Sequence, residues 1–409
     1  MTGINVTVIG LGAMGGGISE ALLKSPDVKS FIGYDRSEEL SEKFHKKATE
    51  IGKSSLSSPP SSFQESIDSS QTNVVILVLV NESQCEQVCF GSNPSSETSS
   101  SADTNVISLL KENSLVILCS TVTATWAKKA YNKFLTEKNI HFLDCPISGG
   151  PVRAQKGELS LFASGSSEAF QKAHLVLQAM GDAAKKQIHT IPGGAGMGST
   201  VKMVHQLLAG VHIVTAAEAL ALASKAGVDV NLMYDIVCGA AGNSWMFQDR
   251  GTRMVKESDE VKSALNIFVK DLDIVYSEAK RMQSPIPIAS AALQQFVSGQ
   301  SLGLGRMDDS QVVQVYEKIT GTKVAKPPDV SVTHKQKVGN DVGDLWEFPN
   351  GTLEEIVEVG DEPRHHVVLV NEYTRTIKVK FDKGDTTLCH RHAEDSLYFF
   401  LVEGGKEKT

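Results

Sequence analysis

The sequence has few cysteines and lacks long uninterrupted runs of apolar residues. Its six cysteines in 409 residues have neither the density of a disulfide framework nor the CxxC spacing of a zinc site, so we expect reduced thiols. The longest apolar run, Val74 to Val80, has seven residues, whereas a membrane-spanning helix needs about 20. Because no signal-peptide pattern precedes the first strand, these absences predict a cytoplasmic protein without a transmembrane helix.

An excess of positive charge is also absent. Forty Lys and Arg residues stand against 48 Asp and Glu residues, which gives a net charge of −8. This balance argues against nucleic acid or an anionic membrane surface as the main partner and favours small molecules. Apolar residues make up 41% and charged residues 22%, as in soluble globular proteins, and the length predicts two or three domains of about 150 residues each.

The order of apolar patterns divides the chain into four parts. Residues 1–195 alternate β-branched strand segments with helical patterns, which predicts an α/β fold with a doubly wound parallel sheet of the Rossmann type. Ser-rich stretches at 54–70 and 91–105 are expected to be surface loops. Residues 196–322 predict an all-α substrate and dimerisation domain that begins with one long helix, 323–344 a linker, and 345–409 a short segment of β-strands.

The first strand runs into a glycine-rich segment, Gly10-Leu11-Gly12-Ala13-Met14-Gly15, and a helical pattern follows. In this context GxGxxG predicts a dinucleotide-binding loop. The first glycine permits a tight turn, the second lets the backbone approach a pyrophosphate, and the third allows close helix packing. The alternative is a flexible glycine turn that binds nothing.

Asp35 follows the second predicted strand, 20 residues after the last glycine of that loop. A carboxylate at this place accepts hydrogen bonds from the ribose hydroxyls and repels a 2′-phosphate, so it predicts NAD rather than NADP. Arg36 favours the opposite preference, because an arginine beside the ribose can accommodate that phosphate. An aspartate after a strand can also simply cap the next turn.

Lys202 is the leading candidate for acid–base chemistry. It lies near the start of the long predicted helix among apolar residues, and the next charged residue along the chain is Glu218. Poor solvation lowers the pKa of a lysine toward working pH and suits it to move a proton. Lysines also commonly lay their stems on apolar surface with the ammonium in water, so the spacing alone leaves a structural role open.

These segments resemble the β-hydroxyacid dehydrogenase family over residues 4–322. The similarity covers the dinucleotide loop, Asp144–Gly150, Gly198–Gln206 and Phe268–Leu272. The resemblance implies NAD-dependent oxidation of a 3-hydroxy acid by hydride transfer to nicotinamide, with no metal. It also implies the site residues: Lys202 as general acid/base, Ser148 and Gly149 on the substrate carboxylate with Gly150 beside them, and Thr121 and Lys270 bordering nicotinamide and substrate.

Two residues depart from the family pattern. The family usually has paired asparagines three and four residues after the lysine, where this chain has His205 and Gln206. Gln206 keeps an amide on the helical face of the lysine and is therefore a predicted substrate ligand. The segments His205–His212 and Ala241–Phe247 most resemble the L-threonate dehydrogenase branch of the family. A four-carbon sugar acid is accordingly the expected substrate.

Other functions stay open on the sequence. Within the family, the alternatives are activity on 3-hydroxyisobutyrate or tartronate semialdehyde. A 6-phosphogluconate dehydrogenase is a weaker alternative, because the helical part is small and no arginine cluster for a phosphate stands out. A non-catalytic NAD-binding scaffold is disfavoured by the joint presence of Lys202, Lys270 and the Ser-Gly-Gly segment. We expect a homo-oligomer.

The C-terminal strands carry a second resemblance, to the first motif of cupin barrels. His390 and His392 follow Gly384 at the cupin spacing, and Glu394 continues their alternation, so one strand face could offer metal ligands. The usual glutamate position holds Ser396 or Leu397 instead. We therefore predict a partial, structural barrel with solvated histidines, and a metal site through His390 and His392 is the alternative.

Overall fold

The computed structural model describes residues 3–67, 72–91, 105–182, 184–256, 258 and 260–325, together with the backbones of six short strands farther along the chain. The chain divides into two compact units, Met1–Lys326 and Pro327–Thr409. The predicted linker at 323–344 spans this division. The finer boundary at 195/196 stays a prediction.

An eight-stranded sheet forms the first part of the larger unit. Its strands are β1 Ile4–Ile9, β2 Val28–Tyr34, β3 Val74–Leu77, β4 Leu115–Leu118, β5 His141–Asp144, β6 Ile147–Ser148, β7 Ser160–Gly165 and β8 Ile188–Thr190. The order is β2-β1-β3-β4-β5-β7-β6, with β8 paired to β7, and the first five strands in this order are parallel. The helices between them are α1 Ala13–Lys24, α2 Glu38–Glu50, α3 Phe63–Ser66, α4 Glu82–Phe90, α5 Val106–Leu109, α6 Ala124–Lys138, α7 Gly150–Gln155 and α8 Ser167–Met180. The Rossmann-type fold predicted from the sequence is confirmed.

The sheet departs from the predicted parallel arrangement at one edge. Strand β7 is antiparallel to both β5 and β6, while β8 is parallel to β7. Strands β6 and β8 have two and three residues, too few to give a periodic pattern in the sequence. The Ser-rich stretch predicted as a loop from residue 54 contains the short helix α3, which Ser62 caps.

Apolar side chains from alternate strand positions pack on both faces of the sheet, as they must in a doubly wound fold. One face contacts α1 and α8 and contributes Val6, Val8, Val74, Ile76, Leu115 and Ile117. The other face contacts α6 and contributes Val75, Leu77, Val116, Leu118 and Phe142. Burial on both sides leaves the carboxyl ends of the parallel strands as the place where loops can bind a ligand.

The rest of the larger unit is helical. Its helices are α9 Met197–Lys225, α10 Val230–Cys238, α11 Trp245–Val255, α12 Leu265–Arg281, α13 Pro287–Ser301 and α14 Val313–Thr320, with short 3-10 turns at Leu304–Arg306 and Asp309–Val312. Helix α9 packs against α10, α11, α12, α13 and α14 around a separate apolar core. Among the described residues α9 is the one helix long and apolar enough to cross a membrane, and these contacts identify it as a core helix.

The sequence pattern does not predict helix α11. Its buried face carries charged groups in place of some apolar ones. Arg250 forms a bidentate salt bridge with Asp309, and both nitrogen–oxygen distances are 2.9 Å. Arg253 donates a hydrogen bond of 2.9 Å to Asp308. The Asp309 side chain is fully buried and Asp308 is 2% exposed, so these pairs join α11 to the 3-10 turn inside the protein.

The smaller unit contains short paired strands. They are β9 Leu345–Glu347, β10 Leu353–Glu355, β11 Val357–Glu358, β12 His365–Val370, β13 Arg375–Val379 and β14 His390–Arg391. The pairs β9–β10 and β12–β13 are antiparallel, and β11–β14 is parallel. His392 and Glu394 lie outside the described residues, so the cupin-like barrel and its metal site stay predictions.

Candidate functional site

The dinucleotide loop connects β1 to α1 at the carboxyl edge of the sheet. Gly10 has a φ of +92°, and a Cβ there would lie 2.4 Å from the Val78 carbonyl oxygen. A Cβ on Gly15 would lie 1.8 Å from the Gly10 carbonyl oxygen, so both glycines are required by the packing. A Cβ on Gly12 would meet no protein atom within 4 Å. The open side of the loop at Gly12 therefore fits a pyrophosphate that approaches the backbone at the start of α1.

Asp35 lies beside this loop. Its Oδ2 accepts a hydrogen bond of 2.7 Å from the Leu11 backbone N–H, and its Oδ1 accepts one of 3.0 Å from the Ser37 N–H. The second contact is the turn-capping role that the sequence left open, and the first holds the carboxylate against the glycine-rich loop. Arg36 is exposed. A carboxylate in this position is adjacent to the place where the adenosine ribose binds in such folds.

Asp144, at the end of β5, fixes the start of helix α9. Its Oδ2 accepts hydrogen bonds from the Gly196 N–H at 3.0 Å and the Ser199 N–H at 2.8 Å, and its Oδ1 accepts one from Ser199 Oγ at 2.7 Å. Burial raises the pKa of Asp144, while these hydrogen bonds oppose the shift. A Cβ on Gly198 would lie 2.2 Å from the Phe162 carbonyl oxygen. The first turn of α9 is thus held directly against the sheet.

Lys202 follows one turn later and is buried, with 7% of its surface exposed. Its ammonium group therefore does not extend into water as a surface lysine would. The pKa of Lys202 is lowered to about 8, mainly by burial; the charge of Asp271 opposes this shift and the charge of Lys270 adds to it. At neutral to mildly alkaline pH both forms of this amine are populated, as proton transfer requires.

A chain of polar contacts runs past Lys202. Ser148 Oγ lies 3.2 Å from His205 Nε2, and His205 Nδ1 lies 3.0 Å from Gln206 Oε1. Gln206 Nε2 donates to Asp271 Oδ2 at 2.5 Å, and Asp271 Oδ1 lies 2.6 Å from Lys270 Nζ. This chain joins three separate segments: β6, α9 and α12.

Lys270 also connects α12 to the sheet. Its Nζ donates a 3.4 Å hydrogen bond to the carbonyl oxygen of Thr121, in the loop after β4. The structure thereby brings together Thr121, Lys270, Gln206 and Ser148, all predicted from the sequence. Asp271 is not predicted, although it adjoins Lys270 in the family-like segment. His205 is noted in the sequence only as a departure from the family pattern, and its contact with Ser148 spans 57 residues.

The surroundings of His205 favour its neutral form. Burial lowers its pKa below the ordinary value, and the charge of Lys202 lowers it further, while Gln206 and Asp271 act in the opposite direction. A neutral imidazole has one N–H donor and one nitrogen acceptor. Which of the two nitrogens donates, to Ser148 or to Gln206, depends on the tautomer of the ring.

Other reactive groups in the described part of the chain do not form a second centre. No group of three or more His, Cys, Asp or Glu side chains there could hold a metal ion. Burial raises the pKa of Cys85 to about 11 and the pKa of Cys89 well above its usual value, so these thiols are poor nucleophiles. A cleft of about 1210 Å³ opens beside Lys270, between α12, α13 and the Val80–Asn81 segment.

Comparisons with protein families agree with this architecture. Residues 5–190 match the NAD-binding domain of 6-phosphogluconate dehydrogenase, and residues 196–316 match the family described as NAD-binding of NADP-dependent 3-hydroxyisobutyrate dehydrogenase. The L-threonate dehydrogenase of Escherichia coli strain K12 is 37% identical over 316 residues, which are 77% of this chain and 96% of that protein. The 2-(hydroxymethyl)glutarate dehydrogenase of Eubacterium barkeri is 30% identical over 271 residues, 63% of this chain and 88% of that protein.

Solved structures show the same fold. The crystal structure of a 3-hydroxyisobutyrate dehydrogenase from Salmonella typhimurium is 35% identical, with a TM-score of 0.65, and covers 76% of this chain and 99% of that one. The 6-phosphogluconate dehydrogenase of Plasmodium falciparum is 17% identical with a TM-score of 0.55, a likeness of fold alone. The two family matches, over residues 5–190 and 196–316, include the site described above.

Proposed function

Because this chain belongs to the 3-hydroxyisobutyrate dehydrogenase-like family of β-hydroxyacid dehydrogenases, we propose that its substrate is a four-carbon sugar acid such as L-threonate and that Lys202 is the general acid/base. The chain is an NAD(P)-dependent hydroxyacid dehydrogenase. The observation that carries the proposal is the burial of Lys202 beside the contact chain from Ser148 to Lys270.

The residues of this site bind the cofactor or transfer the proton. Gly10, Gly12 and Gly15 shape the loop that receives the pyrophosphate, and Asp35 lies where the ribose binds. Bound NAD(P) supplies the acceptor for the hydride that leaves the substrate carbinol carbon. Lys202 in its neutral form takes the hydroxyl proton, and the ammonium returns a proton in the reverse direction.

The substrate pocket on this proposal is formed by the Ser148-Gly149-Gly150 segment, Gln206 and Lys270, with Thr121 at the nicotinamide side. Ser148 and Gln206 belong to one contact chain and Lys270 is tied to Thr121. Polar side chains from three segments suit an acid that carries several hydroxyl groups. The 3-hydroxyl is the position of oxidation that the family resemblance implies.

Activity on 3-hydroxyisobutyrate is the second candidate. The solved structure from Salmonella typhimurium bears that name and is 35% identical, whereas several curated relatives at 36–37% identity are named L-threonate dehydrogenases. The two acids differ in the number of hydroxyl groups that can form hydrogen bonds with the pocket: L-threonate has three and 3-hydroxyisobutyrate has one. The hydrogen-bonding groups at Ser148, His205 and Gln206 support the sugar acid.

The substrate is tested by initial rates of NAD(P)H formation with a panel of L-threonate, D-threonate, erythronate, 3-hydroxyisobutyrate and 6-phosphogluconate. We expect the highest kcat/KM with one of the four-carbon sugar acids. A higher value with 3-hydroxyisobutyrate would make the second candidate correct. Cofactor binding without turnover of any hydroxy acid would contradict both.

The cofactor preference gives a separate prediction. NAD should be used in preference to NADP, and Asp35→Ser should narrow or invert the ratio of kcat/KM values, because the change removes a charge that repels the 2′-phosphate. The matched control is Arg36→Ser, which removes the neighbouring exposed charge and should leave the NAD preference in place or increase it. Steady-state kinetics with both cofactors measures the ratio. A wild-type preference for NADP would show that Arg36 dominates the ribose pocket.

Two further properties belong to the proposal. A homo-oligomer is supported by exposed apolar side chains at helical spacing, Val204 with Leu208 on α9 and Leu232 with Ile236 on α10. A cytoplasmic location is supported by the free thiols at the five described cysteines, which suit a reducing compartment.

A further inference from the structure

Glu82 is the first residue of α4, and the proposed reaction assigns it no step. Its Oε2 accepts two hydrogen bonds from Thr123, one from the backbone N–H at 3.0 Å and one from Oγ1 at 2.7 Å. The two residues are 41 positions apart in the chain. Glu82 follows β3 and Thr123 follows β4, so one half-buried carboxylate joins the segments that leave two neighbouring strands.

Thr123 in turn caps helix α6. Its Oγ1 accepts a hydrogen bond of 3.1 Å from the Trp126 N–H, as the side chain of a helix N-cap residue usually does. Because a carboxylate only accepts, the hydroxyl proton of Thr123 is directed at Glu82 and a lone pair is left for Trp126. Glu82 therefore fixes both the backbone and the side chain of the residue at which the loop between β4 and α6 ends.

The same loop has a second attachment at its other end. Ser120 Oγ accepts a hydrogen bond of 2.7 Å from the Leu79 N–H, which also lies in the segment after β3. Thr121 lies between the two attachments, and its carbonyl oxygen accepts the 3.4 Å hydrogen bond from Lys270. The residue proposed for the nicotinamide side is thus held from both ends of its loop.

Glu86, one turn farther along α4, makes a comparable contact that does not involve this loop. It accepts hydrogen bonds of 2.7 Å from Trp126 Nε1 and 3.1 Å from Lys129 Nζ, both on α6. The two carboxylates therefore join the same pair of helices. Of the two, Glu82 alone contacts the backbone of the residue that ends the loop.

We propose that Glu82 is a positioning residue for hydride transfer, because through Thr123 it fixes the segment 120–123 beside the nicotinamide ring. Hydride transfer requires the donor carbon and nicotinamide C4 to be close and aligned, and a displacement of about 1 Å can lower the rate by about 10²-fold. This inference rests on the proposed function, from which it takes the place of Thr121 beside the nicotinamide. It adds a residue that lies outside the motifs of the family resemblance.

The first test needs neither cofactor nor substrate. Hydrogen–deuterium exchange, followed by mass spectrometry of a peptide that contains residues 120–123, measures how firmly the loop is held. Glu82→Ala should accelerate exchange in this peptide by about fivefold, the equivalent of one lost hydrogen bond. Glu86→Ala, the matched control, should leave it unchanged. Exchange at the wild-type rate in Glu82→Ala would overturn the proposal.

The second test measures hydride transfer itself. Enzyme saturated with its preferred cofactor is mixed rapidly with a saturating concentration of the best acid of the panel, and absorbance of the reduced cofactor gives the rate constant of the first turnover. This rate constant does not depend on the fraction of enzyme that is folded, which changes only the amplitude. Glu82→Ala should lower it by about tenfold or more, whereas Glu86→Ala should retain it.

An isotope effect identifies the step that is slowed. With the acid deuterated at the oxidised carbon, Glu82→Ala should show a primary isotope effect on the first turnover, because hydride transfer limits it. Absence of this effect in Glu82→Ala would overturn the proposal, since another step would then be the slow one.

Glu82→Gln provides the conservative variant. Its amide oxygen has two lone pairs and can accept both hydrogen bonds from Thr123, so the rate constant should return to within about threefold of wild type. Equal slowing by Glu82→Ala and Glu86→Ala, or by Glu82→Ala and Glu82→Gln, would overturn the inference and leave a hydroxyacid dehydrogenase. Failure of wild-type enzyme to reduce the cofactor with any acid of the panel would overturn the proposed function and this inference with it.

Discussion

Replacement of Lys202 with Met is expected to lower kcat by about 10²-fold or more, because a positioned acid/base contributes about 10²- to 10⁴-fold. Met has about the length of the apolar methylene stem of lysine but cannot take a proton, so the packing around the buried side chain is preserved. Cofactor affinity should change little, since the dinucleotide loop lies on another element. The measurement is steady-state oxidation of the best acid in the panel, together with the Kd for NAD.

The matched control is Lys225→Met in the last turn of the same helix. Lys225 Nζ donates to the Thr320 carbonyl oxygen at 3.0 Å, and the contact is exposed. This variant should retain kcat within about twofold, because an exposed lysine outside the pocket has no proton to move. Near-normal turnover in Lys202→Met would contradict the assignment of the general acid/base.

The pH dependence provides a second readout of Lys202. Oxidation needs the neutral amine, so kcat/KM for oxidation should rise as pH increases through about 8, the lowered pKa of this lysine. The reverse reduction needs the ammonium and should fall over the same range. Lys202→Met should lose this step in the profile while other titrations persist.

Replacement of Arg250 with Met should destabilise the protein by about 3–5 kcal/mol, the usual cost of removing one partner from a buried ion pair. The change leaves the fully buried carboxylate of Asp309 without its two 2.9 Å hydrogen bonds from the guanidinium. Urea unfolding followed by circular dichroism measures the loss. The exposed pair Lys129–Glu86, with side-chain exposures of 61% and 37%, provides the control.

Lys129→Met should lower the free energy of unfolding by about 0–1 kcal/mol, as the loss of an exposed ion pair does.

The destabilisation caused by Arg250→Met should also depend on pH, and the direction of this dependence can be worked out. Burial already raises the pKa of Asp309 and Arg250 opposes that shift, so its removal raises the pKa further. A carboxyl with a raised pKa in the folded state favours folding when it is protonated, and this benefit disappears as pH rises. The destabilisation should therefore be smaller in acid than at neutral pH, and equal losses for both variants would contradict the buried-pair interpretation.

Local patterns predict much of the larger unit. The β1 strand, the glycine-rich loop and α1 follow from residues that are adjacent in the chain, and α9 follows from a long helical periodicity. Strands β6 and β8 are too short to show a period. Helix α11 is missed because Arg250 and Arg253 occupy positions on its buried face where an apolar pattern would place Leu or Val.

The site is only partly predictable for a different reason. Lys202, Ser148 and Gln206 can be identified from motifs, and their chemistry depends on groups brought near by folding. The contact of Ser148 with His205 spans 57 residues and that of Gln206 with Asp271 spans 65. Periodicity and motif spacing contain no information about such contacts. These contacts become known only from the folded structure.

The central claim is that a hydride passes from a carbinol carbon of a hydroxy acid to the nicotinamide ring. The most direct measurement uses L-threonate that carries deuterium on both carbon 2 and carbon 3, with NMR of the reduced cofactor after turnover. The account predicts one deuterium at nicotinamide C4, and with singly labelled substrate it predicts that the deuterium comes from carbon 3. Transfer from carbon 2 would correct the position of oxidation. Reduced cofactor without deuterium, or no reduced cofactor at all, would contradict the account.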